Sequence, residues 1–340
     1  MMGDKGEVGP HTEPAVEGPA TTSCGCDAPA RWVCDICRFS SRVQLACSRA
    51  CFERHLREAH PDAPRSAAER ARAVQRVLNV REEEHHYRAF ASHRKRVTEI
   101  VCARAAGPRL CVFGAGNAWD LELGRLLTSF ESVHLVDIDR DALERARARA
   151  PSELRERLVL HGDVDLTGLL DRIDDLESID SEQMAELAVG AARQIVERVG
   201  SDFDTTLSTC LLSQLVLPFQ RTWARSAPEW GMLEATLTAL HLTTLSAATR
   251  PGGSSVLVFD VLSSKYEPGL DAMANQSSEA LVSFVARSTA HLQPRPEALL
   301  EQVRAPSLAG LFTRPALTTP WLWQLDDALQ LVYALVFHRP

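Results

Sequence analysis

Short apolar runs at 110–113, 133–138, 158–160, 205–212 and 255–262 punctuate the later two-thirds of this 340-residue chain. Between them, 141–150, 181–199 and 231–249 repeat apolar residues at helical spacing. Strands that alternate with helices predict an α/β fold, a parallel sheet covered by helices on both faces. Near the end, 321–325 and 331–338 are two more apolar runs separated by a short polar link. A parallel return would need a long crossover, so this closeness predicts an antiparallel pair.

Ahead of the first run the period is different. Residues 66–105 read as helix, with Val74, Val77 and Leu78 in one apolar patch and Val97, Ile100 and Val101 in another. Gly107 and Pro108 end that region. Residues 1–22 hold Gly, Pro, Glu and Thr without an apolar core, which predicts a disordered tail and no signal peptide. No run approaches the ~20 apolar residues of a membrane span. Formal net charge is -8, and only three cations are lysines (Lys5, Lys95, Lys265). Bulk charge therefore argues against nucleic acid as a partner. The arginines between Arg54 and Arg96 are diluted by Glu53, Glu58, Glu69 and Glu82–Glu84 and read as a solvated face.

Six of the nine cysteines fall between Cys24 and Cys51, in the order Cys24, Cys26, Cys34, Cys37, Cys47, Cys51, followed by His55 and His60. Four short-spaced pairs supply the eight thiolate or imidazole ligands of two tetrahedral Zn²⁺ sites. With four protein ligands each and no open position, such sites are structural. Grouped ligands without an export signal fit a reducing cytoplasm better than a disulfide framework.

A second constellation follows the first predicted strand. Gly114 and Gly116 allow a tight turn and close approach of a ligand to the backbone, and the next helix begins behind them. Asp137 lies 21 residues after Gly116, at the end of the next predicted strand, where a carboxylate can accept both hydroxyls of a ribose. The pattern G-x-G-x-x-G of nicotinamide enzymes fails, because Trp119 stands at its third glycine.

The segments VFGAGNAWD, LVDIDRDAL, HGDVDLTG, DFDTTLSTCLLSQL and RPGGSSVLVFD, in this order, resemble class I S-adenosylmethionine-dependent methyltransferases from about Arg109 onward. The resemblance implies a Rossmann-like seven-stranded sheet with a terminal antiparallel hairpin and S-adenosyl-L-methionine as cofactor. It implies cofactor contacts from Gly114, Ala115, Gly116, Asn117, Asp137, Ile138, Asp163, Val164, Ser208 and Thr209. Ala118 stands where the family usually has another glycine. Asp120 reads equally as a contact to the methionine end or as a helix cap, and Asp139 as the cap of the helix after Asp137. Ser208, Thr209, Cys210 and Gln214 are the expected lining beside the transferred methyl. None is an obvious base, so no catalytic residue is assigned. The Asn/Asp-Pro-Pro-Tyr/Phe motif of amide and base methylation is lacking. His85, His86 and Tyr87 read as a solvated face and His161 as a packing residue.

The cysteine ladder resembles the HIT-type zinc finger, with the MYND finger as a second match, a small treble-clef-like module. The resemblance pairs Cys24, Cys26, Cys47 and Cys51 at one zinc and Cys34, Cys37, His55 and His60 at the other. It departs in the one-residue spacing of the first pair and in His60 where Cys is usual. The expected organisation is a tail at 1–22, a zinc finger at 23–62, a helical linker or lid at 63–107 and a methyltransferase domain at 108–340. The expected function is methyl transfer to an acceptor the sequence does not identify, a small molecule or a protein, with the finger recruiting a partner or substrate. The alternative is a catalytically idle methyltransferase fold whose finger acts as a protein-binding module.

Overall fold

The computed structural model describes residues 24–26, 32–34, 37, 44–64, 66–80, 87–173, 176, 179–222, 227–290, 295–306, 308, 310–325 and 327–340. The expected tail at 1–22, Arg81, Glu82–Glu84, His85 and His86 lie outside the described residues, as do the side chains of Val74, Val77 and Leu78. The chain divides into two compact units, Met1–Ala63 with Gln220–Arg225, and Pro64–Phe219 with Ser226–Pro340.

In the smaller unit, β1 (Trp32–Val33) pairs antiparallel with β2 (Leu45–Ala46), and the helix Arg49–Ala59 follows. Ser48 starts that helix by accepting the Cys51 N–H on its hydroxyl, which satisfies a donor the first turn leaves open. Phe52 and Leu56, one turn apart, bury the same helix face.

The larger unit is built on β3 (Arg109–Phe113), β4 (Ser132–Val136), β5 (Leu158–His161), β6 (Phe203–Thr209), β7 (Thr249–Ser263), β8 (Thr313–Leu317), β9 (Trp321–Leu325) and β10 (Ala328–His338). The order across the sheet is β5-β4-β3-β6-β7-β10-β8. The pairings β3–β4, β4–β5, β3–β6 and β6–β7 are parallel, and β10 runs antiparallel to β7. This is the α/β fold of the methyltransferase type, with its reversed last strand. Eight strands fill seven positions, because β9 and β8 pair in turn with the beginning and the end of β10.

Helices cover both faces, so the central strands are apolar on both sides. Leu110, Cys111, Val112 and Phe113 are all fully buried, as are Val256 to Phe259. The helix Ala227–Ala248 buries Leu233, Leu237, Leu240, Leu242 and Leu245, and packs with Ser181–Val199. The latter starts at a capping box between Asp180 and Gln183. No helix among the described residues is long and apolar enough to cross a membrane.

The helical region expected at 66–105 is not one continuous helix: among the described residues Ala67–Val80 and Ala91–Cys102 are distinct, with Phe90 outside helical geometry at the start of the second. Pro251, Gly252 and Gly253 of the segment RPGGSSVLVFD lie inside β7: the β6 partner shifts from Thr249 to Ser254 between Phe203 and Thr205, and Gly252 takes φ +74° there. β8 and the helices Ser278–Arg287 and Pro296–Arg304 were not anticipated, since β8 alternates weakly and contains a proline.

The loop after β5 is tightly set. Gly168 has φ +60°, and a Cβ there would stand 2.3 Å from the Cβ of Ala191. Gly168→Val should therefore destabilise the protein by about 2–4 kcal/mol through backbone strain and overpacking, read as a lower urea midpoint.

Candidate functional site

The strand order reverses at β3, which has β4 on one side and β6 on the other. That is the switch point where α/β sheets open a crevice beyond the carboxyl ends of their strands. A cavity of about 390 Å³ lies there, lined by residues that follow β3, β4, β5 and β6, by Asp260 of β7 and by Ala71, Gln75 and Asn79 of the helix Ala67–Val80. Its size is that of a small-molecule site.

The glycine turn forms its floor. The amides of Gly114 and Ala115 both donate to the Val136 carbonyl, at 2.9 and 3.0 Å. Gly116 has φ +47°, and its N–H donates to Asp137 Oδ2 at 2.8 Å. A side chain at Gly116 would project toward Asn79 Oδ1 and Asp137 Oδ2, into the space a ligand would use. Ala118, at the place of a usual glycine, adopts φ +53° all the same, and its N–H donates to the Ala115 carbonyl at 2.7 Å. Asn117 is clamped by Arg145 at its side-chain oxygen and by Arg149 at its carbonyl.

Asp137 and Asp139 divide their work. Asp139 caps the helix Arg140–Arg149, accepting from the amides of Asp141 and Ala142. Asp137 accepts from Gly116 on one oxygen and from the Asp139 N–H on the other, and it lines the cavity. Burial raises its carboxyl to about 6, against the lowering by those amide donors. The residues of the resemblance that line the cavity are Gly114, Ala115, Gly116, Asn117, Asp137, Ile138, Val164 and Thr209, joined by Cys210 and Gln214.

Asp163 and Ser208 stand elsewhere. The chain leaves β5 through Asp163 at φ +59°, which sends the carboxylate out to Arg140 Nε at 2.8 Å. Val164 and Asp165 then face the cavity, and Asp165 ties the loop together through Thr167 and Leu170. Ser208 points to the opposite face of β6 from Thr209, as strand alternation requires, and pairs with buried His241 at 2.8 Å. His161 packs against His134, its ring nitrogen 2.9 Å away, and burial lowers both from their ordinary value. Tyr87 is exposed beneath the guanidinium of Arg94.

Other lining residues carried no signal of their own in the sequence: Phe90, Trp323, Asp165, and Gln75 and Asn79. Asn79 Nδ2 donates to Asp139 and its carbonyl accepts from Asn117, which joins the helix Ala67–Val80 to the glycine turn. Asp260 could have been found, because it is a carboxylate that interrupts the apolar run of β7 toward the carboxyl edge of the sheet. Asp120 is not the cap of the helix Leu123–Ser129, whose N-cap is Glu122; it lines the cavity. Burial raises it to about 6, opposed by a hydrogen bond from Thr209.

In the smaller unit the eight ligand-type residues come together as two groups, Cys24, Cys26, Cys47 and Cys51, and Cys34, Cys37, His55 and His60. Within each group the ligand atoms all lie within 4.8 Å of one another. Cys47 Sγ and Cys26 Sγ stand 3.6 and 3.9 Å from Cys51 Sγ. A tetrahedral zinc with bonds of ~2.3 Å sets its sulfurs about 3.8 Å apart. Cys37 Sγ is 3.3 Å from His55 Nε2 and 3.1 Å from His60 Nε2. The hairpin brings Cys34 beside Gln44, and the helix Arg49–Ala59 carries Cys51 and His55 one turn apart. Hydrogen bonds that the Cys26 thiol makes to Cys47, Cys24 and Cys51 push it up to about 12. Four thiols facing one another at these separations are the donor set of a soft divalent metal.

No family model matches the chain, and no curated protein does. Among solved structures it is similar to magnesium protoporphyrin IX methyltransferase (ChlM) from Synechocystis PCC 6803 with bound SAH, at 11% identity and TM-score 0.37, over 86% of this chain and 100% of that one. It is also similar to the methyltransferase domain of bacterial-CtHen1-C, at 15% identity and TM-score 0.38, over 72% and 97%. A third is CrArsM, an arsenic (III) S-adenosylmethionine methyltransferase from Chlamydomonas reinhardtii, at 14% identity and TM-score 0.35, over 74% and 73%. Likeness at this level carries no substrate or residue role across.

Proposed function

We propose that the larger unit is an S-adenosylmethionine-dependent methyltransferase and that the smaller unit is a zinc finger of two structural ions that recruits a partner or substrate. The observation that carries the first part is the Gly116–Asp137 pair at the floor of the switch-point cavity. The Gly116 cradle leaves room beside a buried carboxylate, the arrangement that receives a ribose.

In this reading Asp137 accepts the ribose hydroxyls. Ile138 and Val164 flank the base, with Leu166 and Leu170 beside them on the cavity wall. Gly114, Ala115 and Asn117 shape the passage for the amino-acid end, and Thr209, Cys210 and Asp120 border the place where the methyl is handed over. The bound donor supplies an electrophilic methyl group on a sulfonium. The chain's task is to align and to exclude water, which the helix Ala67–Val80 supports by closing one wall over the floor. That helix falls within the stretch expected as a lid.

Two of the eight finger residues depart from the resembled pattern, yet Cys26 and His60 both stand in the groups that would hold the ions. Four protein ligands per ion leave no position for water, so the finger takes no part in the transfer.

The test is a thermal-shift titration with S-adenosylhomocysteine, followed by incubation of cell extract with enzyme and methyl-labelled donor. A saturable rise in Tm and label in an acceptor identified by mass spectrometry are expected. No shift at millimolar ligand overturns the reading.

A further inference from the structure

We propose that the methyl acceptor is a cationic amine, which enters as its ammonium ion and is held between Asp120 and Asp260. The inference rests on the methyltransferase reading of the same cavity and adds the chemical class of the substrate.

The described residues that line the cavity include Asp120, Asp137, Asp165 and Asp260, and no Lys, Arg or His among them. Two of the four are explained by the fold. Asp137 serves the glycine turn, and Asp165 holds its own loop. Asp120 and Asp260 are different. Asp120 follows β3 and Asp260 lies in β7, the strands that flank β6 and the Cys210 behind it. The charges of both, Asp260 first, hold that thiol further above its ordinary value after burial has raised it. The side-chain donors that meet them are single hydroxyls, Thr209 for Asp120 and Ser213 Oγ at 3.0 Å for Asp260.

Two basic groups stand near Asp120. The charge of Arg94 lowers its carboxyl, but that guanidinium donates to the carbonyls of Tyr87 and Trp119. His93 is the ring that approaches Asp120. His93 Nε2 is 3.9 Å from its carboxylate. Nδ1 of that ring accepts from the Trp321 indole at 3.1 Å, so the N–H is on Nε2, and burial lowers His93 to about 3. It is a neutral donor that makes no hydrogen bond among the described residues. Arg94 compensates Asp120 only in part, and no ion pair meets Asp260 among the described residues, so a cation held between the two would meet charge the protein leaves largely uncompensated.

The sulfonium alone does not account for both. Its positive charge disappears from sulfur as the methyl leaves, so carboxylates fixed beside it stabilise the ground state more than the transition state. A neutral oxygen or carbon acceptor would therefore be slowed by them, and an anionic one repelled. With an amine the charge is regained on nitrogen, where the same carboxylates stabilise it. The ammonium first gives a proton to one carboxylate. The nitrogen lone pair then forms the N–CH₃ bond while the S–CH₃ bond breaks and its electron pair stays on sulfur. The products are the N-methylammonium, the neutral thioether and the proton, which passes to solvent.

A second feature of the wall agrees. Phe90, Trp119 and Trp323 line the same end, with Phe90 and Trp323 edge to face at 4.7 Å. Aromatic rings and carboxylates together are what an organic cation with an apolar body selects.

The test is calorimetric titration of the full chain, saturated with S-adenosylhomocysteine, with benzylammonium and with its neutral isostere benzyl alcohol. The ammonium is expected to bind at least about tenfold tighter, Asp260→Asn to bring the two ligands to parity while keeping the S-adenosylhomocysteine shift, and Asp120→Asn to remove the same preference at saturating S-adenosylhomocysteine. Equal binding of amine and alcohol by the wild type, or a preference that survives both substitutions, overturns the inference and leaves the methyltransferase reading standing. Absence of any S-adenosylhomocysteine binding overturns both.

Discussion

Chelation will release two zinc ions per chain and abolish hydrogen-exchange protection across the helix Arg49–Ala59. The smaller unit has little else to hold it. Among the described residues its buried apolar ones are Cys34, Cys37, Ala46, Cys51, Phe52 and Leu56, and three of these six are proposed ligands. A core of that size does not stabilise so short a segment by itself, whereas structural zinc in small fingers contributes roughly 10–16 kcal/mol of apparent binding energy. Cys34→Ser and Cys47→Ser should each lower the zinc content, measured by native mass spectrometry, by one ion from a different group. Retention of helix protection in the metal-free chain would show that the two groups are not what orders the segment.

Asp137→Ala will weaken S-adenosylhomocysteine binding by more than ~100-fold, about 3 kcal/mol, because two charge-assisted hydrogen bonds to the ribose are lost together. The same carboxylate gives the interaction a pH dependence whose sign is set by burial. Its folded value of about 6 lies above its ordinary 3.8, so protonation is favoured in the empty folded state. Its contribution to stability is full below 3.8 and is lost as pH rises through about 6. Ligand binding runs the other way, since only the anion accepts both hydroxyls. Affinity should fall roughly tenfold per unit as pH drops below about 6, and this slope should be missing from Asp137→Ala. Calorimetry from pH 5 to 8 would read both; an unchanged affinity in the variant would remove Asp137 from the site.

Much of the fold was legible because the signals were local. Apolar runs of strand length, separated by helical periods, define β3 to β7, and the short link before β10 could only join antiparallel neighbours. β8 was hidden because an edge strand with a proline and an exposed face has no periodic signature. In the candidate site, residues next to the glycines and Asp137 were readable from spacing. Asp163 and Ser208 show where spacing stops: a left-handed turn sends one side chain outward, and strand alternation sends the other beneath the sheet. Gln75, Asn79, Phe90 and Trp323 reach the cavity through tertiary packing of distant segments, which a single sequence does not encode locally. Asp120 needed the neighbouring Thr209 and Cys210 to become visible as a cavity residue.

Ala118 carries one more consequence. An alanine held at φ +53° costs roughly 1 kcal/mol or more relative to a glycine, and it persists because its surroundings fix it. The Ala115 carbonyl, Val136, Asp137 and the arginines on Asn117 define the turn through bonds within the chain. The ordering of this segment is thus completed during folding. A molecule arriving at the floor meets a surface with its conformational entropy already surrendered, and can convert more of its contact energy into affinity.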